Sequence, residues 1–142
     1  MNKLKPGYFL FLTFGVILLA CGSNYSSPKV NRKLFIKFFN LDPPTDVKNF
    51  YYHSDELGID ASYWISFESS DTTIQKIRQS LQLDEERVTR GLFGGLNSYP
   101  TQWWDTTFIF KAKAYTKQEQ NIFWFLWYDR TNRKAYFLTL DT

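Results

Sequence analysis

Two hydrophobic periods follow one another in the middle of this chain. In Ala61–Ser69, apolar residues occupy every second position from Tyr63 onward, which is the period of a strand with one buried face. Ser70 then offers an N-cap side chain, and apolar residues recur at spacings of three and four. Those residues are Ile74, Ile77 and Leu81. The pattern predicts a strand followed by an amphipathic helix of about three turns.

The C-terminal part of the chain reads as three strands. Thr106–Tyr115 alternates apolar and polar residues, so it is expected to form a strand with one dry face, ended by the polar break Thr116–Gln120. Ile122–Tyr128 is apolar at every position, which predicts a central strand covered on both sides. After a turn at Asp129–Asn132, Lys134–Leu140 alternates again and is expected to complete a hairpin.

Weaker patterns flank these elements. Leu34–Phe39 is a short apolar run that stops before a polar, proline-containing stretch, and it predicts a strand. A second strand is expected from position 46 onward, ending in the polar loop His53–Asp60. Asp84–Val88 is expected to add a short helical turn, and the glycine-rich Arg90–Pro100 to form a loop.

Together these elements predict an α+β fold. Short strands surround one good helix, without the strand-helix alternation that a parallel sheet requires. We therefore expect an antiparallel sheet of roughly four to six strands with one main helix packed on one face. No internal repeat is visible, so residues 31–142 are expected to form a single domain.

The N-terminal segment has the layout of a signal peptide. Lys3 and Lys5 precede Gly7–Ala20, which carries no charge and is dominated by Leu, Phe, Ile and Val. In a helix this apolar segment would reach only about 21 Å, short of the roughly 30 Å hydrocarbon core of a bilayer. The pattern therefore favours a cleaved segment over a permanent membrane span.

The end of this segment, Leu18-Leu19-Ala20-Cys21, resembles the lipobox of bacterial lipoproteins. The resemblance implies that residues 1–20 are removed and that Cys21 becomes a lipidated N-terminus carrying diacylglycerol and commonly an N-acyl chain such as palmitate. Several acyl chains make such an anchor durable. Residues 21–30 would then be the lipidated cysteine and a flexible tether. Gly22 follows the cysteine where an aspartate would mark inner-membrane retention, which resembles outer-membrane cargo.

Charge and cysteine content bear on partners and stability. The whole chain has a formal net charge of +3, but two of its lysines lie in the segment that is expected to be removed. The remaining chain is nearly neutral, which argues against a nucleic-acid partner. Cys21 is the only cysteine, so no disulfide is expected and stability must come from packing.

Candidate catalytic groups are sparse. His53 is the only histidine and has no cysteine or carboxylate pair at ligand spacing, so neither a metal site nor a cofactor is expected. Gly91–Gly95 lacks the Gly-Lys-Ser/Thr ending of a phosphate-binding loop. A cell-wall glycan hydrolase would need two opposed carboxylates. Asp55, Asp60 and Glu68 are the candidates for that chemistry.

The aromatic surplus is the strongest functional signal. Aromatic residues make up 20% of the chain, and those of Ile122–Tyr128 point alternately to the two faces of a strand. Either both faces are covered or an aromatic surface stays open for a protein, glycan or lipid. The candidate binding patch is Trp64, Trp103, Trp104, Trp124 and Tyr128.

These observations favour a membrane-anchored lipoprotein of the cell envelope that acts as a non-enzymatic binding module for a protein or an envelope polymer. In an organism with an outer membrane, its periplasmic side is the expected location. The first alternative is an inhibitor or immunity lipoprotein that blocks a toxin or hydrolase through the loop Leu92–Trp104. The glycan hydrolase and a structural tether of an envelope complex are further alternatives.

Overall fold

A computed structural model describes residues 23–57, 60–88 and 102–141. Its centre is one seven-stranded antiparallel sheet with the strand order β1-β2-β3-β7-β6-β5-β4. The strands are β1 (Ser23–Lys29), β2 (Lys48–Leu57), β3 (Asp60–Glu68), β4 (Glu85–Val88), β5 (Lys113–Glu119), β6 (Ile122–Asp129) and β7 (Lys134–Asp141). The helices are α1 (Arg32–Phe39), α2 (Asp71–Leu81) and the single turn α3 (Thr106–Ile109).

The sheet buries apolar side chains on both faces. On one face, which we call the helix face, α1 and α2 pack against residues such as Phe67, Leu126 and Phe137. On the other, which we call the tryptophan face, α3 and the segment before it cover Trp127 and Leu138. Ile122–Tyr128, the apolar part of β6, thus supplies side chains to both covered faces, as predicted, and Asp129 ends the strand.

Helix α2 forms where the sequence predicts it. Ser70 caps its N-terminus by accepting a hydrogen bond from the Thr73 N–H, and Ile74 and Ile77 are buried. A second cap comes from outside the helix, because Asp46 accepts hydrogen bonds from the Ser70 N–H at 2.7 Å and from the Thr73 hydroxyl at 2.8 Å. The helix therefore fixes the α1-to-β2 connection as well as its own first turn.

The predicted strand at Leu34–Phe39 is wrong, because this segment lies in helix α1. Asn31 accepts a hydrogen bond from the Leu34 N–H, and Asn40 ends the helix in a left-handed conformation with φ 51°. Phe35 and Phe39 lie one turn apart with ring centroids 4.6 Å from each other, and both are fully buried. The spacing of four between these phenylalanines is the helical signal.

Residues 23–29 correct the prediction of a flexible tether. They form β1, which pairs antiparallel with β2 from Ser23 opposite Ser54 to Lys29 opposite Lys48. The predicted loop His53–Asp60 is also corrected, since β2 continues to Leu57 and pairs with β3. Polar side chains are compatible with a strand here because β1 is the outermost of the described strands and pairs with a described strand on one side only.

The segment before β6 differs from its prediction as well. Thr106–Tyr115 is not one strand: α3 begins after Asp105, whose side chain accepts the Phe108 N–H, and β5 starts only at Lys113. β5 continues through the predicted break Thr116–Gln120 as far as Glu119. Asp84–Val88, predicted as a helical turn, contains strand β4, while Arg90–Pro100 lies outside the described residues.

The antiparallel sheet and the hairpin of β6 and β7 are confirmed. The fold is mainly β, with seven strands rather than four to six. The finer prediction of one main helix on one face is not confirmed, because α1 and α2 both supply buried side chains to the helix face. The additional strands are the polar β1 and the short β4 at the two edges, where sequence periodicity is weakest.

Candidate functional site

The tryptophan face is built by alternation along the central strands. Trp64 of β3, Tyr136 of β7 and Trp127 of β6 all lie on this face and are at most 4% exposed. Trp104 covers them, with its ring centroid 5.6 Å from that of Tyr136 and 6.2 Å from that of Trp127. The edge-to-face arrangement of these rings is the favoured geometry for aromatic pairs.

A short turn holds Trp103 and Trp104 over the sheet. Asp105 caps α3 with its side chain, and the Ile109 N–H donates to the Asp105 carbonyl at 3.1 Å. Ile109 is buried in the tryptophan face, which ties this turn down. Trp103 is half-buried and stacks on Tyr51 of β2, with ring centroids 5.5 Å apart and an angle of 18° between the rings.

Beside these rings lies a cleft of about 450 Å³, which we call the aromatic groove. It runs between the turn before α3 and the turn that joins β6 to β7. Its lining residues are Gln102, Trp103, Trp104, Asp105, Thr106, Asn132, Lys134 and Tyr136. The volume lies within the roughly 300–1,000 Å³ typical of small-molecule sites. The aromatic groove therefore combines aromatic walls with a few polar side chains, one basic side chain and one acidic side chain in a single concave surface.

The charge of the aromatic groove is balanced. Lys134 contributes a positive charge and Asp105 a negative one. Burial raises the pKa of Tyr136 to about 12, and the negative charges of Asp105 and Asp129 act in the same direction. The Tyr136 hydroxyl is therefore protonated at neutral pH and can donate a hydrogen bond.

One wall of the groove carries a buried polar atom without a partner. The Trp104 side chain is 6% exposed, and its Nε1 has no hydrogen-bond acceptor among the described residues. The hydroxyl of Ser66, fully buried on the same face of the sheet, also lacks a partner within the described ranges. A buried donor without an acceptor costs free energy.

A second cleft of about 350 Å³ lies across Asn132 from the first and includes Asp46, Glu68 and Arg133. Its carboxylates are engaged in the fold. Burial alone would raise the pKa of Asp46, but hydrogen bonds from Ser70 and Thr73 outweigh it and hold the pKa below its usual value. Glu68 accepts a hydrogen bond from the Asn49 amide at 2.8 Å. This cleft is therefore a structural junction between α2 and the sheet.

The five predicted patch residues do not form one surface. Trp64, Trp103 and Trp104 lie on the tryptophan face, whereas Trp124 and Tyr128 lie on the helix face. Trp64 and Trp104 are buried, and the other three are half-buried. Only Trp103 and Trp104 line the aromatic groove.

The sequence analysis missed the other side of the groove. Asn132, Lys134 and Tyr136 face Trp103 and Trp104 from the β6–β7 hairpin. The available signal was the alternation of Lys134 and Tyr136 directly after a turn, on the same face as Leu138. No local pattern joins this hairpin to the Trp103-Trp104 pair, because the contact forms only when the chain folds.

The candidate carboxylates are not gathered into a cleft. Asp55 and Asp60 lie near the ends of β2 and β3 that adjoin each other, while Glu68 is at the far end of β3. The eight steps along the strand from Asp60 to Glu68 cover about 26 Å, whereas glycosidase carboxylates lie roughly 5–9.5 Å apart. Glu68 therefore cannot pair with Asp60 in such a reaction.

His53 belongs to the packing of β1, β2 and β3. Its Nδ1 is 2.5 Å from the Asn24 side-chain oxygen, and its ring centroid is 5.2 Å from that of Trp64. Burial lowers the pKa of His53, and the nearby charge of Asp55 opposes this shift. Among the described residues, no group of three or more His, Cys, Asp or Glu side chains is placed to hold a metal ion.

Cys21 lies outside the described residues. Within the described ranges, no helix has the length and apolar character needed to cross a bilayer. Comparisons with protein-family models, with curated proteins and with solved structures found no match.

Proposed function

We propose that this chain is a lipid-anchored protein of the cell envelope whose domain binds a partner or an envelope polymer without catalysing a reaction. In an organism with an outer membrane, it sits on the periplasmic side of that membrane. The observation that carries the proposal is the position of the aromatic groove relative to the N-terminus of the described chain. The groove and the first residue of β1 lie at opposite ends of the sheet.

The strand register gives this separation. Ser23 pairs with Ser54 near the end of β2, whereas Lys29 pairs with Lys48 at its beginning. The six steps from Ser23 to Lys29 cover about 20 Å along the strand. The β6–β7 turn, which lines the groove, lies at the Lys48 end, because Lys48 pairs with Glu68 and Glu68 with Lys134.

A lipid on Cys21 would hold the Ser23 end of the sheet close to the membrane. Two peptide units separate these residues, so their Cα atoms lie at most about 7.6 Å apart. We call this end of the sheet the anchor end and the opposite one the turn end. The groove at the turn end then faces away from the membrane, toward any partner in the surrounding compartment.

Charge distinguishes the two ends of the sheet. Acidic residues gather at the anchor end where β2, β3, β5 and β7 begin or finish: Asp55, Glu56, Asp60, Glu119 and Asp141. Glu56, Ala61, Asp141, Ile122 and Glu119 form one continuous row of paired positions. Anionic lipid would repel such a row, so the lipid on Cys21, and not the charge of the domain, is what would bring this end to the membrane.

The anchor is tested with Cys21→Ala, using Ser27→Ala as the control. We expect wild type and the control to incorporate labelled palmitate and to fractionate with membranes, and Cys21→Ala to do neither. Labelled lipid on Cys21→Ala would refute the anchor.

The binding role is tested in cells with a photo-crosslinking residue placed at Gln102 or at Glu56. Both positions are exposed, one beside the groove and the other at the anchor end. We expect a discrete partner to be captured from Gln102 and not from Glu56. Capture from both positions alike, or from Glu56 alone, would contradict a binding surface at the turn end.

An inhibitor or immunity role is the second candidate, favoured by the exposure of Gln102 and the half-burial of Trp103 at the rim of the groove. These residues are the described end of the predicted inhibitory segment Leu92–Trp104, and the rest of that segment lies outside the described residues. A single enzyme that copurifies in a one-to-one ratio and loses activity when bound would favour this role.

A further inference from the structure

We propose that the aromatic groove binds the sugar rings of an uncharged or amide-bearing polysaccharide. The inference rests on the proposed binding function and names the class of its ligand. Four features of the groove lead to it: its aromatic walls, its unused polar groups, its balanced charge and its position within the sheet.

The aromatic walls suit a pyranose ring. Trp103 is half-buried, and its stacking on Tyr51 fixes the plane of its indole. Trp104 stands nearly perpendicular to it, with 86° between the rings and 5.9 Å between the centroids. The carbon-hydrogen face of a sugar ring can pack against one aromatic plane, while the perpendicular ring forms a second wall.

Polar groups of the groove remain available for hydroxyl groups. Asn132 donates its Nδ2 and backbone N–H to Asp129, an arrangement that fixes the residue and leaves its side-chain carbonyl as an acceptor. The Trp104 Nε1 is buried, so we assign it no contact with the ligand. Sugar hydroxyl and acetamido groups both donate and accept, so they can complement the Asn132 carbonyl.

The balance of charge excludes a strongly charged ligand. Lys134 and Asp105 both line the groove, so their charges cancel and a polyanion gains little there. A neutral hydroxyl-rich chain interacts with the ammonium group and the carboxylate through hydrogen bonds alone and needs no net charge in the site.

The position of the groove argues against an extended peptide. Peptides that bind sheets commonly add a strand to an open edge. β7 and β6, which lie beneath the groove, are interior strands of the sheet and are already paired on both sides. Recognition there must use side chains rather than backbone pairing, as sugar recognition does.

The test titrates the full-length lipidated protein by calorimetry, in a detergent whose headgroup contains no sugar. The probes are tri-N-acetylchitotriose, which carries acetamido groups, and maltotriose, which does not. We expect at least one probe to bind with a dissociation constant in the micromolar to low-millimolar range. Failure of both probes to bind at about 10 mM would overturn the proposal.

Two variants in the groove sharpen the test. Trp103→Ala removes the stacking wall and is expected to weaken binding at least about tenfold. Trp104→Phe keeps a ring but makes the second aromatic wall smaller, so it is expected to weaken binding less than Trp103→Ala does. Far-UV circular dichroism checks that both variants are folded, and an unchanged affinity in folded Trp103→Ala would overturn the proposal.

Trp124→Ala is the matched control, because Trp124 is a half-buried tryptophan on the opposite face of the sheet. We expect its affinity to stay within about twofold of wild type. An equal loss in Trp124→Ala and Trp103→Ala would contradict a site in the groove. If the wild-type chain proves to carry no lipid, the anchor is refuted, and sugar binding by that chain would still leave this inference standing.

Discussion

The two faces of the sheet are both aromatic and both buried, yet they are completed in different ways. On the helix face, two capped helices cover the sheet. One residue, Phe39, illustrates the packing, because its ring contacts the rings of Phe35, Phe67 and Phe137. On the tryptophan face, the described cover is the single turn α3 and the segment before it. The first face ends in closed packing and the second in a groove.

Their polar groups differ only in part. On the helix face, the Tyr128 hydroxyl donates to the Ser69 carbonyl at 2.9 Å, and the Ser80 hydroxyl donates to the Phe39 carbonyl at 2.8 Å. Buried polar atoms without a partner among the described residues occur on both sides: in Ser66 and Trp104 on the tryptophan face, and in Arg78 and Ser69 on the helix side. The difference between the faces is therefore one of closure, because the helix face is covered by two helices and the tryptophan face leaves a groove.

The largest effect should come from Phe39→Ala in the helix face. Phe39 is fully buried, so truncation leaves a cavity and should lower the free energy of unfolding by about 3–5 kcal/mol. Ile36→Ala on the same helix is the control, since Ile36 is 36% exposed. Urea denaturation followed by tryptophan fluorescence measures both. Equal losses in the two variants would break the assignment of α1 to the core.

A smaller effect is expected from Asp46→Asn, which weakens the second cap of α2. At pH 7 we expect a loss of about 1–2 kcal/mol, because the carboxylate accepts two short hydrogen bonds. Asp42→Asn is the control, since its ion pair with Arg32 is largely exposed.

The pH dependence gives Asp46 a separate signature. Its pKa is lowered in the folded protein, so its contribution is present above the unfolded pKa of about 3.9 and is lost as the pH falls through the lower folded value. The difference in stability between wild type and Asp46→Asn should therefore shrink below about pH 4. A difference that grows on acidification would contradict the role of the ionised carboxylate.

The smallest effect tests the comparison most directly, because the same substitution is made on each face. Ser80→Ala removes a hydroxyl that donates to Phe39, so it should cost about 0.5–1.5 kcal/mol. Ser66→Ala removes a buried hydroxyl without a described partner and should be neutral or slightly stabilising. Thermal unfolding resolves the two. A cost at Ser66 as large as that at Ser80 would show that the tryptophan face is satisfied too.

The elements that could be predicted from the sequence are those in which local and tertiary signals agree. α2 has a capping serine followed by apolar residues at helical spacing. β6 is apolar from Ile122 to Tyr128 and supplies side chains to both covered faces. A turn in which the Asp129 side chain accepts the Thr131 N–H joins it to β7. In both elements, the residues that the sequence spacing predicts to be buried are the ones that contact the core.

The misread elements are those whose local pattern is ambiguous. α1 has only eight residues, and its apolar run fits a strand as well as a helix until the Phe35–Phe39 contact is known. The alternation after Asp105 runs through α3 and on into β5, and the N-cap side chain of Asp105 is the sequence signal that marks the helix. β1 is polar because it lies at an edge, where pairing with β2 rather than burial defines it.

One wall of the aromatic groove could be predicted from the sequence. Two adjacent tryptophans, Trp103 and Trp104, are an unusual feature that marks a candidate binding surface. Its opposite wall, Asn132 to Tyr136, comes from the β6–β7 hairpin, and nothing in the sequence of that hairpin indicates a binding role. The charge balance and the unsatisfied indole of Trp104 are properties of the assembled groove and have no counterpart in a linear pattern.

The outer strand β1 has a consequence for crowding. Lipid-anchored proteins diffuse in two dimensions and meet their own copies often, and an open strand edge is a template for fibril-like pairing. The last residues of β1 offer little to such pairing, because Pro28 has no N–H and the Lys29 N–H donates to the Ser27 hydroxyl at 3.2 Å. If the proposed anchor holds β1 near the membrane, the last two residues of this strand are thereby unavailable as backbone donors to a second copy.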